Sequence, residues 1–175
     1  MKFPKRLLVV KRLCDLLETE PMEVDGKTYN MKGAVWRGRN ILGEEIKPLP
    51  AISVLESPRP DFAIYAGEDE ARRDNMTLLV TGLIESRDKY NPSDAGYWFH
   101  AAVEERLSRV VDVKPGSGNP KYPEHYMLGD LLSSFDVGAP VVRPPDDKTR
   151  SCAYFFLPIR VGIATLVTEP YTQVP

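Results

Sequence analysis

Cysteine is nearly absent from this 175-residue chain, which holds only Cys14 and Cys152. Cys14 falls on the apolar side of a segment with helical period and Cys152 opens an alternating apolar run. Two buried thiols in a reducing compartment are therefore expected in preference to a disulfide. Histidine is as scarce, with His100 and His125 the only side chains suited to acid–base work near neutral pH. Neither sign of charge dominates: 23 Lys and Arg against 25 Asp and Glu leave a net charge of −2, without the basic surplus of a general nucleic-acid binder. No apolar run approaches the ~20 residues of a membrane span. The opening MKFPKRLLVVKRLCDLLETE starts like a secretory signal, but Lys11, Arg12 and Asp15 interrupt it and no small-residue cleavage site follows. A soluble, intracellular protein is the expectation.

Catalytic motifs are missing too. Gly116-Ser117-Gly118 lacks the Lys-Ser/Thr that would follow in a phosphate-binding loop, so a turn is expected there. There is no Gly-x-Ser-x-Gly elbow, and no Cys/His/Asp cluster has metal-ligand spacing, so neither metal nor cofactor is expected. His100 stands four residues before Glu104, an ordinary i,i+4 helix pair. Arg59-Pro60-Asp61 calls for a closer look, because Pro-Asp followed by Glu-x-Lys marks one family of metal-dependent nucleases. Downstream, however, stands Glu85-Ser86-Arg87, and the one Glu-x-Lys, Glu45-Ile46-Lys47, precedes the aspartate. A nuclease using Glu56, Asp61 and Glu85 is the enzymatic alternative.

Proline, by contrast, is abundant: 16 residues, grouped at 48–60, 115–123, 140–145 and 158–175, which stiffen several loops and a tail. Between them lie clear elements. Residues 4–19 carry Leu7, Val10, Cys14 and Leu17 on one helical stripe. Short strands are expected at 33–38 and 51–56. Residues 76–84 alternate, with Met76, Leu78, Val80, Gly82 and Ile84 on the face expected to be buried. A second helix is expected from Asn91 as cap, with Pro92 in its first position and Asp94 closing a capping box. Its stripe is Phe99, Val103, Leu107 and Val110, with Glu104, Glu105, Arg106 and Arg109 on the wet side. Strands at 130–138 and 152–168 follow, the latter edge-placed or bulged because Pro158 lacks a ladder donor. The order α-β-β-β-α-β-β predicts an α+β two-layer sandwich, a mainly antiparallel sheet with both helices on one face. One domain is expected over 1–168, with long loops at 57–75, 112–129 and 139–151 and an extended, unpacked tail at 169–175.

Two of those loops combine an apolar root with a charged tip, a design that favours binding. The candidates for contacts between subunits are Arg59, Asp61, Glu68, Asp69, Arg72 and Arg73 in the first, and Arg143, Asp146, Asp147, Lys148 and Arg150 in the second. The opening helix PKRLLVVKRLCDLLE, the WRGRN…PLPAISVLESPRPD segment, MTLLVTGLIES leading into NPSDAGYWFHAAVEERLSRVV, and the PKYPEHY…VVRPPDD…FFLPIRVGIAT ending span nearly the whole chain. Together they resemble the tail terminator (tail completion, or minor tail) proteins of long-tailed bacteriophages. That resemblance implies a virion protein forming a homo-oligomeric ring, typically of six subunits. Such a ring sits on the head-proximal end of the tail tube, stops tube polymerisation and meets the head connector or neck proteins. Its partners would be its own copies, the tail tube protein and the connector, with genomic DNA only as cargo through the lumen. Another head–tail joining or neck adaptor is the related alternative.

Overall fold

The computed structural model describes residues 1–57, 71–166 and 169–173, without the side chains of 71–74 and 164–166. In chain order the elements are β1 (Lys2–Pro4), α1 (Lys5–Glu18), β2 (Met22–Val24), β3 (Lys27–Tyr29), β4 (Val35–Arg37), β5 (Ala51–Glu56), β6 (Ala71–Glu85), α2 (Asp94–Ser108), α3 (Met127–Asp130), β7 (Ser134–Val137), β8 (Val141–Arg143), β9 (Cys152–Leu166) and β10 (Tyr171–Gln173). The main sheet runs β4-β5-β6-β9-β7, with β8 also on β9; β4 and β5 are parallel and every other pair is antiparallel.

Alternation decides which face is buried. Ile52 and Val54 of β5, Met76, Leu78, Val80 and Ile84 of β6, and every second residue of β9 from Ala153 to Ile163 turn to one side and are buried there. Val9, Leu13, Leu16 and Leu17 of α1 and Phe99, Val103 and Leu107 of α2 pack onto them in one cluster. The fold is the expected α+β sandwich, with α1 and α2 on the same face of the sheet. The opposite face is covered at one end by the 38–50 loop, which sets Ile41, Ile46 and Leu49 against Ala51, Leu83, Cys152 and Tyr154.

Gly82 is required where it stands. A Cβ there would lie 2.1 Å from Cε1 of Phe155, because that ring sits directly over the Gly82 backbone. Phe155 in turn meets Phe99 edge-on, with ring centroids 5.5 Å apart.

Several expectations need correction. β6 begins at Ala71, not at Met76, so its first residues form a strand inside the segment read as a 57–75 loop. β7 begins at Ser134, because Met127, Leu128, Gly129 and Asp130 all have positive φ and make a left-handed turn just before it. Arg12 of α1 holds that turn by donating to the carbonyls of Leu128 and Gly129. β8 lies within the expected 139–151 loop.

Pro158 is neither at an edge strand nor on a bulge: it pairs with Leu79 in the middle of β9. Its carbonyl accepts from the Gly138 N–H, so its ring nitrogen faces the same side, where β7 has ended and β8 has not begun. The missing donor falls in a gap between neighbours. α2 starts at Asp94 without a side-chain cap, since Asn91 instead turns its amide to Asp88. The tail is extended but not unpacked, for β10 pairs with β1. The β2–β3 hairpin was missed, although Asp25-Gly26 between short strands is a strong hairpin signal; their φ values of 49° and 70° suit the turn.

Gly82→Ala should displace the Phe155 ring and destabilise the fold by ~1–3 kcal/mol, the usual range for overpacking. Urea denaturation checks this, and an unchanged midpoint would mean the ring does not depend on that space.

Candidate interaction surfaces

β6 and β9 outrun their neighbours. Going toward the start of β6, β5 stops at the Glu56–Leu78 pair and Ser57 adds one bond to Thr77, while on the far side β7 stops at Ser134 opposite Gly162. Ala71–Asp74 paired with Ile163–Leu166 therefore form a two-stranded arm about 13 Å long. Among the described residues no third strand flanks it. The even-numbered residues of β9 turn their backbone groups away from β6, as the Gly162 carbonyl does in accepting from Ser133, so the outward ladder groups of Ala164 and Leu166 have no partner among the described residues.

The candidate contact residues divide. Arg59, Asp61, Glu68 and Asp69 lie outside the described residues. Arg72 and Arg73 are on the arm, opposite Thr165 and Ala164. In the second loop Arg143, Asp147, Lys148 and Arg150 are exposed, and none has a side-chain ion pair or hydrogen bond among the described residues. Asp146 differs. Its carboxylate accepts from the Lys148 and Thr149 amides at 2.9 Å each and from the Tyr154 hydroxyl at 2.7 Å. The Tyr154 bond first, then the amides, hold its pKa below the ordinary carboxylate value. Asp146 thus organises its own loop.

Two of the carboxylates considered for a nuclease, Glu56 and Glu85, stand far apart. Glu56 stands opposite Leu78, whereas Glu85 ends β6 seven residues on, a separation of roughly 23 Å along the strand. Glu56 pairs with Arg6 and Glu85 with Arg87. Asp61 lies outside the described residues. His100 is buried against Phe155, with Nε2 3.1 Å from Glu104 as its spacing predicted, though the contact lacks hydrogen-bond alignment. His125 sits in the 112–126 loop, 3.8 Å from Glu124. Gly116 and Gly118 occupy turn positions with φ of 82° and 68°. Both cysteines are free and buried, and burial pushes the Cys14 thiol up to about 12.

One cavity stands out, about 500 Å³, at the Glu85 end of β6. The β2–β3 hairpin, the 38–50 loop, the turn after β6 and the start of α2 wall it. Its polar lining is Asp25, Glu85, Asp88 and Asp94 against Lys27 and Arg87. Arg87 is taken by Glu85, and Asp88 accepts from the Tyr90 and Asn91 amides. The carboxylates of Asp25 and Asp94 have no partner among the described residues. Trp98, 54 % exposed, and Tyr29 supply aromatic wall. Sequence reading missed this site, since its residues come from four separate segments.

Reading by charge also misplaced Arg106. It is 7 % exposed, not on the wet side. Its guanidinium donates to the carbonyls of Leu16 at 3.4 Å, Glu20 at 3.2 Å and Pro21 at 2.8 Å, closing the open C-terminal end of α1 from α2. Arg109 adds a bond of 2.8 Å to the Glu20 carboxylate.

No protein-family model matches the chain, and no curated protein matches it.

Arg106→Leu should destabilise by about 2–4 kcal/mol, because buried carbonyls lose their donor. Arg109→Ala, which breaks a pair half open to water, should cost at most about 1 kcal/mol; equal effects in chemical denaturation would refute the capping role. Tyr154→Phe should raise the Asp146 titration midpoint toward the ordinary ~3.9, followed by carboxyl NMR. Because the folded pKa lies below the unfolded one, this loop's stabilisation is present above the unfolded value and lost as pH falls through the folded value. An unmoved midpoint would mean the amides alone hold the carboxylate.

Proposed function

We propose that this chain is a structural virion subunit of a long-tailed phage, a tail terminator that works as a closed ring of identical copies. The observation that carries the reading is the arm of β6 and β9, whose β9 edge meets no further strand among the described residues. An open strand edge is the cheapest surface on which a second copy can add, and a head-to-tail contact of unlike patches closes into a ring when its rotation allows. The family resemblance supplies the place: the head-proximal end of the tail tube, with tube protein and head connector or neck proteins as partners. The small negative net charge suits a lumen through which DNA passes without capture. The chemistry of such a subunit is association; no bond is made or broken. A neck adaptor with the same ring would use the same surfaces.

Mass photometry of the purified protein, alone and with assembled tail tubes, should find a closed oligomer or oligomers that appear on tube ends. A strict monomer that ignores tube ends would overturn the reading. Ala164→Pro removes one outward donor of the arm while leaving the bonds between β6 and β9 in place. It should keep the melting midpoint within a few degrees and abolish oligomers; unchanged oligomers would show that the edge is not used.

A further inference from the structure

We infer that β4 is the strand on which a neighbouring copy's arm adds. The outward backbone groups of Ala164 and Leu166 in one copy bond to those of Val35 and Arg37 in the next. This inference rests on the ring reading and names the strand that receives the contact. Ala34 and Gly38 turn their backbone groups to β5: the Ala34 carbonyl accepts from the Ile52 N–H at 2.9 Å, and the Gly38 N–H donates to the Val54 carbonyl at 3.0 Å. Backbone groups alternate in direction along a strand, so those of Val35 and Arg37 point to the outer side of β4. Among the described residues they have no partner, and β4 is the last strand of the sheet on that side. The chemistry of such an edge sets what it binds, an extended backbone with N–H and C=O groups of its own to pair. The arm offers one, and its length of about 13 Å accommodates the roughly 10 Å of a three-residue strand.

Position selects β4 among the edges of the sheet. The outward groups of Ala164 and Leu166 lie on the β7 side of β9, whereas β4 borders the opposite side. Joining opposite sides lets every copy keep one orientation, the head-to-tail repetition that a ring needs. β7 lies on the arm's own side, so pairing there would turn one copy over and give a two-fold pair that stops at two. β8 is on that side as well, and Pro140, Pro144 and Pro145 bracket it and blunt its edge. Strand direction agrees. β4 runs parallel to β5, and so does β9, since β5 and β9 are both antiparallel to β6. Copies in one orientation therefore pair β4 with β9 in parallel, with Val35 beside Thr165 and bonded to Ala164 and Leu166. Arg37 then bonds to Leu166, for roughly three backbone hydrogen bonds in all. A single contact of this kind is weak, and closure, which gives each copy two of them, holds the ring.

The test separates backbone from side chain at Arg37, read by mass photometry of the protein alone and on tail tubes. Circular dichroism and the melting midpoint verify that each variant is folded. Arg37→Pro removes one outward donor of β4 while leaving the bonds to β5, and should weaken association at least tenfold. Arg37→Ala keeps that donor and should assemble like the parent. Hydrogen exchange of the unaltered protein decides the matter without any variant: the Val35 and Arg37 amides should gain protection only in the assembled state. Unchanged exchange at both amides, an Arg37→Pro chain that assembles like the parent, or an equal loss in Arg37→Ala would overturn the β4 contact while leaving the ring reading in place. A parent protein that stays monomeric, alone and with tube ends, would remove the ring reading and this contact with it.

Discussion

The antiparallel ladder between β6 and β9 carries the rest of the structure. Fifteen residues of each strand pair without interruption, and the inner face of that ribbon supplies much of the main core. Its tightest point is Phe155 lying over Gly82, where the absent side chain on one strand makes room for the ring of the other. Phe99 of α2 meets that ring edge-on, so the position of α2 on the sheet follows from the strand pairing. α1 is then fixed to α2 from its C-terminal end, through the carbonyls gathered by Arg106. Sheet, second helix and first helix are thereby linked in a fixed order of dependence.

The same ladder makes the surface. Where β5 and β7 cover it, the ribbon is core; where they stop, it continues as an arm that no third strand flanks among the described residues. At its other end the strand runs into the turn that helps to wall the acidic and aromatic cavity. One long strand thus separates the arm from that cavity by roughly 40 Å. The loop organised by Asp146 is stiff for a separate reason, since the carboxylate is spent on its own amides and on Tyr154.

What could be read from the residues follows from burial. The alternation of Met76 to Ile84 and of Ala153 to Ile163 was plain because one face is buried and the other is not. The arm was hidden for the converse reason: Ala-Arg-Arg-Asp-Asn carries no apolar alternation, and its pairing depends on the partner strand alone. Arg106 had the stripe position, three residues after Val103, yet its charge placed it in water; the helix-end carbonyls it meets belong to a segment ninety residues earlier. Pro158 read as an edge because its gap depends on where β7 and β8 break. The cavity joins four segments, and no spacing rule connects Asp25, Glu85, Asp94 and Trp98. Asp25-Gly26 was the one legible signal left unused.

Hydrogen exchange resolved by residue, at low and high protein concentration, tests the central claim most directly. Amides of 76–84 and 153–161 should be strongly protected at every concentration, and the outward amides of Ala164 and Leu166 should gain protection only when copies associate. Arm amides whose exchange is the same in dilute monomer and in assembled protein would contradict the claim that this ribbon is the working surface.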